Sequence, residues 1–136
     1  MFTLVLMYLK RILLVLCCFF VFEQTNAQAP VDEVSNAIKY GRVGEIIKYF
    51  DDVVPVTINN SQSTYSRTQA EMVLKDFFGR NNPTDMAVLS NNSSDNSSRF
   101  VVGEMKTSGG IKYSVYILFK LKDKIYVIRE IRFNKE

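Results

Sequence analysis

Residues Ile111 to Leu121 alternate so regularly that they settle much of what this chain can become. Ile111, Tyr113, Val115, Ile117, Phe119 and Leu121 share one face, and Lys112, Ser114, Lys120 and Lys122 share the other. An apolar face with a period of two is a half-buried β-strand, which needs strand neighbours to bond and a second layer to cover it. The flanking residues supply the neighbours. Asp123-Lys124 turns the chain into a last strand, Ile125 to Phe133, while Ser108-Gly109-Gly110 joins it to a preceding strand, Arg99 to Thr107. A further strand is expected around Asp85–Leu89, followed by a polar loop from Ser90 to Ser98 made only of Ser, Asn and Asp. The C-terminal half is therefore expected to be a four-strand antiparallel meander.

The covering layer comes from the preceding residues. Pro30 suits the first turn of a helix, Asp32 and Glu33 follow near its positive end, Val34, Ala37 and Ile38 form its apolar stripe, and Gly41 ends it. Val43, Ile46, Ile47 and Phe50 then follow the i, i+3, i+4, i+7 spacing of a second helix. Val53 to Ile58 reads as a strand that Pro55 pushes toward a sheet edge or a bulge, and Asn59 to Ser63 reads as a turn. Ser66 and Gln69 make a capping box for a third helix, whose face is Ala70, Val73, Leu74, Phe77 and Phe78 and whose stop is Gly79. The fold class is α+β: three helices on a curved, mainly antiparallel sheet of about five strands.

The first 27 residues have a different character. Lys10 and Arg11 precede an apolar run from Ile12 to Phe22, and Thr25-Asn26-Ala27 offers a small residue for cleavage, the layout of a secretory signal peptide. The run of 11 residues is about half the length of a ~20-residue membrane span. Export to the periplasm or beyond is the expectation, with a single domain at 28–136, Gln28 as its first residue and no transmembrane anchor after cleavage. Met7 is an alternative start that gives a better-proportioned signal. Cleavage would remove Cys17 and Cys18, the two cysteines of a chain that has no histidine. The remaining 15 basic and 13 acidic side chains give a net charge of +2, too mild to point to nucleic acid. Without disulfides, stability rests on the core, for which 12 aromatic side chains remain.

The order helix, helix, strand, helix and meander resembles the nuclear transport factor 2-like (cystatin-like) fold, a cone of sheet wrapped around helices. Three segments further resemble domain-of-unknown-function family 4783, small exported bacterial proteins: Val34-Ser35-Asn36-Ala37-Ile38; Tyr65-Ser66-Arg67-Thr68-Gln69-Ala70-Glu71 with Leu74-Lys75-Asp76-Phe77-Phe78; and Tyr113-Ser114-Val115-Tyr116. The resemblance spans the mature chain and implies the fold. It brings no catalytic residues and no cofactor. Enzymes of the wider fold, such as ketosteroid isomerases and scytalone dehydratases, use Asp, Tyr or His inside the cone, and this chain has no His.

Three residues are candidates for ligand binding. Alternation places Arg129 on the same face as Ile125, Val127, Ile131 and Phe133, where a guanidinium must be paired or must line a cavity. Glu104, on the Phe100 and Val102 face of a nearby strand, is its expected partner, and Tyr113 could offer a hydroxyl from the apolar face. Each also has a plain structural reading, as a closed ion pair or a core tyrosine. Lys106, Lys112, Lys120, Lys122 and Lys124, with Tyr116 and Tyr126, form a basic side of the sheet that would suit a solvated face or anionic envelope material. Asp51-Asp52 lacks the alternating oxygen ligands of a calcium loop, so no metal is implied. The expected activity is a non-enzymatic binding or accessory module. Its ligand would be a small amphipathic or acidic molecule in the cone, or its partner a second copy or envelope protein on the open sheet face. The alternative is a small lyase, isomerase or hydrolase using a Tyr and carboxylate pair.

Overall fold

The computed structural model describes residues 1–18 and 28–136. Helix α1 (Phe2–Cys18) lies within the expected signal segment, whose cleavage point at Thr25-Asn26-Ala27 falls outside the described residues. No helix among the described residues is long and apolar enough to cross a membrane. The domain that follows runs α2 (Val31–Lys39), α3 (Val43–Ile47), β1 (Val53–Ile58), β2 (Ser61–Ser66), α4 (Arg67–Arg80), β3 (Pro83–Asp95), β4 (Ser98–Thr107), β5 (Lys112–Lys122) and β6 (Ile125–Lys135).

The six strands form one curved, open sheet in the order β2-β1-β6-β5-β4-β3. The expected meander is its larger part. Only β1 and β6 pair in parallel. Helices α2, α3 and α4 cover one face, and Phe50, Phe119, Phe133, Ile38, Ile46 and Leu74 are among the largest side chains sealed between the layers. The capping box forms as expected: the Gln69 N–H donates to Ser66 Oγ at 3.3 Å, and the Ser66 N–H donates to Gln69 Oε1 at 3.1 Å. Gly41, with φ at +64°, takes the left-handed position after α2.

Polar segments account for the departures. The expected turn at Asn59–Ser63 is only two residues long: Asn59 and Asn60 have φ of +49° and +65°, the geometry of a type I′ hairpin, and the uncharged run from Ser61 to Ser66 becomes a sixth strand. Pro55 is therefore not at an edge, since β2 lies outside it. The expected loop at Ser90–Ser98 is mostly strand, because β3 and β4 stay paired out to Asp95 and Ser98. The second helix ends at Ile47, and Phe50 instead bridges to Ile128 of β6.

The two sheet edges differ. Along β3 the register shifts at three places, α2 packs against the strand, and Lys39 reaches Asp85 at 3.8 Å. Strand β2 pairs with β1 without a register shift, carries no charge, and is exposed along most of its length.

Candidate functional site

The three sequence candidates lie in three separate places. Tyr113 faces the core, 3% exposed, where its hydroxyl donates to Asn81 Oδ1 at 2.8 Å and its ring meets Phe77 edge-on at 5.2 Å. Its hydroxyl is spent within the protein. Glu104 lies on the opposite face, because β4 turns Val101, Gly103 and Met105 inward; its carboxylate is 3.7 Å from Lys112. Arg129 is near neither.

The position of Arg129 corrects the expected alternation of β6. Phe119 pairs with Ile128 and Leu118 with Glu130, so Arg129 is an additional residue bulged out of the ladder. The strand consequently changes phase: Ile128 is buried before the bulge, Ile131 and Phe133 after it, and Ile125 and Val127 do not share their face. Arg129 emerges at the sheet margin, where its Nε lies 3.4 Å from Asp51 Oδ2. The expected pair with Glu104 does not form.

Asp51 is the centre of this corner. Its N–H donates to the Ile128 carbonyl at 3.1 Å, which fixes the residue against β6. Its Oδ1 accepts from Lys122 Nζ at 2.8 Å and from the Asp52 N–H, also at 2.8 Å. Asp52 joins the group at 3.5 Å from Arg67, whose Nε caps the Phe50 carbonyl at 2.9 Å. The bond from Lys122 is the strongest influence on Asp51 and holds its carboxyl below the usual carboxylate value; burial works the other way and is outweighed once the Asp52 N–H and the two cations are included. Lys122 is raised in turn, chiefly by the same bond. The group is an ionised clasp joining the start of β1 to the β5–β6 hairpin.

On the uncovered sheet face, side chains from successive strands stand in register. One row runs Gln62, Thr57, Arg132, Tyr116, Val102 and Ser90 across all six strands. At its middle, the Arg132 guanidinium lies 4.8 Å from the centre of the Tyr116 ring, and Phe100 stacks beyond Tyr116 at 6.4 Å and 23°. Glu130 Oε1 accepts from Arg132 Nε at 2.5 Å, pinning the guanidinium and raising its pKa.

A cleft of about 470 Å³ opens at the end of the sheet where the β3–β4 and β5–β6 hairpins turn. Its walls include Asp32 and Glu33 from the first turn of α2, Asn91 and Arg99 from the β3–β4 hairpin, and Tyr126 from β6. Arg99 is in phase with Val101 and Met105, so it points to the helix-covered side, and its NH1 donates to Asn91 Oδ1 at 2.9 Å. Sequence reasoning passed over Arg99 as the first residue of a strand. Its parity with Val101 and Met105 is readable in the sequence, but which face is inner is not, because Phe100 and Val102 make the other face equally apolar.

Comparison with known proteins fits this architecture. The model of the family described as Domain of unknown function (DUF4783) matches residues 31–134. The chain belongs to the DUF4783 family. Two DUF4783 crystal structures are close to it: one from Bacteroides fragilis YCH46, 28% identical over 80% of this chain and 100% of that one, and one from Bacteroides uniformis ATCC 8492, 28% identical over 80% and 98%, both with a TM-score of 0.74. An NTF-2 like protein of unknown function from Silicibacter pomeroyi DSS-3, 14% identical over 78% of this chain and 89% of that one with a TM-score of 0.58, shares the fold. No curated protein matches the chain. All of Asp51, Arg99, Tyr126 and Arg129 lie within the DUF4783 match, as does the whole of α2 with Asp32 and Glu33.

Proposed function

We propose that this DUF4783 protein is a non-enzymatic binding module of the cell envelope, exported through its N-terminal signal and processed to begin at Gln28. The observation that carries the binding reading is where open space occurs relative to the chemistry. The interior between sheet and helices is filled by Phe50, Phe119, Phe133 and their aliphatic neighbours, while among the described residues the cleft of about 470 Å³ at the hairpin end is open, and most of its lining side chains are polar. A volume of that size lies within the ~300–1,000 Å³ typical of small-molecule sites. The enzymatic alternative draws less support. Its Tyr and carboxylate pair, Tyr113 and Glu104, lies on opposite faces of the sheet, and the most buried carboxylate, Asp51, is held ionised where a general acid would need a raised pKa.

A second mode rests on the Phe100–Tyr116–Arg132 stack. Tyr, Phe and Arg are the residue types enriched at protein interfaces, and these are already ordered by stacking and by Glu130. A partner protein on the open sheet face would dock there.

Intact and native mass spectrometry of the protein made from its full sequence in its native host tests the proposal. The expected species begins at Gln28, as pyroglutamate, and carries a small ligand that it releases unchanged on denaturation. A chain retaining Met1 or Met7 would overturn export with processing. Conversion of the released ligand by added protein would overturn the non-enzymatic reading.

A further inference from the structure

The cleft holds opposite charges that face a common space without neutralising one another. Arg99 reaches in from β4, and Asp32 and Glu33 stand on the first turn of α2. Among the described residues, no carboxylate lies within 4.0 Å of the Arg99 guanidinium, and neither Asp32 nor Glu33 has a cation within that distance. Arg99 is nonetheless held in place. Its NH1 bond to Asn91 at 2.9 Å uses one of its five N–H donors and steadies the planar fork. The two acids are likewise placed by the first turn of the helix.

A cleft with a guanidinium on one wall and carboxylates on another discriminates by charge separation. A simple anion gains Arg99 but is repelled by Asp32 and Glu33, and a simple cation meets the converse. A molecule with both charges gains on both walls. Charges of like sign set against the wrong end are the repulsive element that specificity requires. Tyr126 also lines the cleft, with an aromatic ring of the kind that suits an ammonium group, alongside the chain from Gln28 to Val31.

We propose that this cleft is a site for a small dipolar ligand carrying a carboxylate and an ammonium group, an amino acid or the like, with the carboxylate on Arg99 and the ammonium at the acidic first turn of α2. The assignment rests on the binding-module reading and gives that reading a ligand class.

The test uses ω-amino acids of increasing length, glycine through 6-aminohexanoate, each against the carboxylate and the amine of matching chain length. Binding to the protein made from the full sequence is followed by ligand-observed NMR, which also reports any conversion of the probe. At least one ω-amino acid is expected to bind tenfold or more tighter than both of its singly charged counterparts. Arg99→Met should erase its advantage over the amine, and the paired Asp32→Asn, Glu33→Gln change should erase its advantage over the carboxylate. These side chains are exposed or half-buried, so both variants should melt close to the parent, which keeps a loss of binding interpretable. Equal binding of the matching carboxylate, binding of the ω-amino acid unaffected by Arg99→Met, or no binding across the series would overturn the dipolar assignment. In the first two cases, binding without conversion leaves the binding-module reading standing. Turnover of a probe would overturn that reading and leave the site in place.

Discussion

Replacing Asp51 with Asn is the sharpest probe of how the sheet's corner is held. The change keeps the shape and one acceptor for the Asp52 N–H, but removes the charge that meets Lys122 at 2.8 Å and Arg129 at 3.4 Å. Hydrogen bonds to charged groups contribute about 1.5–3 kcal/mol when well shielded. The carboxylate is shielded, with 12% of its side chain exposed, but both cations are 47% exposed and can return to water. Solvent screening therefore lowers the expected loss to about 1–2 kcal/mol, well under the ~3–5 kcal/mol of breaking a fully buried pair. For a domain of this size that is a fall in Tm of roughly 4–8 °C at pH 7. The direction with pH follows from the lowered pKa of the folded state. The contribution is complete above the pKa of the unfolded carboxyl, and it is lost as pH falls below about 4 toward the folded value. Parent and variant melted by circular dichroism from pH 7 to pH 2.5 should therefore converge in acid. A variant within 2 °C of the parent at pH 7, or a gap that persists undiminished at pH 2.5, would refute the ionised clasp.

Gly103→Ala is expected to destabilise by about 1–3 kcal/mol, because a Cβ there would lie 2.7 Å from the Ala87 carbonyl oxygen and against the Met86 methyl; urea denaturation measures it, and an unchanged midpoint would mean that β3 can move aside. Tyr113→Phe should cost about 1 kcal/mol by leaving Asn81 Oδ1 without its donor, read as a lower Tm with unchanged binding in the cleft at the far end of the sheet.

The parts of this molecule that were legible beforehand are those where burial writes a period into the sequence. The β5 alternation, the α4 stripe and the Ser66–Gln69 box each describe a local rule that the packed structure also obeys. Strand β2 obeys no such rule. Its residues neither alternate nor bury, and it is a strand because β1 offers it hydrogen bonds and the Asn59-Asn60 turn aims it back. The Asn-Asn pair was the available signal, since asparagine tolerates the positive φ that a type I′ turn demands. The β3–β4 extension is similar, with Ser and Asn paired beyond the last core residue.

Arg129 failed for a different reason. Reading faces by parity assumes an unbroken ladder, and one bulged residue reverses the parity of everything before it. Correcting for it moves Arg129 from the inner face to the margin and makes Asp51, in sequence only half of an acidic pair without calcium-loop ligands, the residue on which the corner depends. Strand β4 has no bulge against β5 and its alternation is unbroken, but both of its faces carry apolar residues. The sequence reading set the Phe100 and Val102 face toward Arg129, whereas Val101 and Met105 are the buried ones and Arg99 shares their face.

The unequal edges of the sheet bear on how the protein behaves when concentrated. Polymerisation by strand addition needs two receptive edges on each molecule, one to accept and one to offer. Here the β3 side is closed by irregular register, by α2 and by charge, whereas the bare β2 side can accept an extended chain. Two molecules that meet through β2 form a symmetric pair and have no open edge left, so growth stops at two. What the unpaired edge of β2 can build is thus limited by the opposite margin of its own sheet.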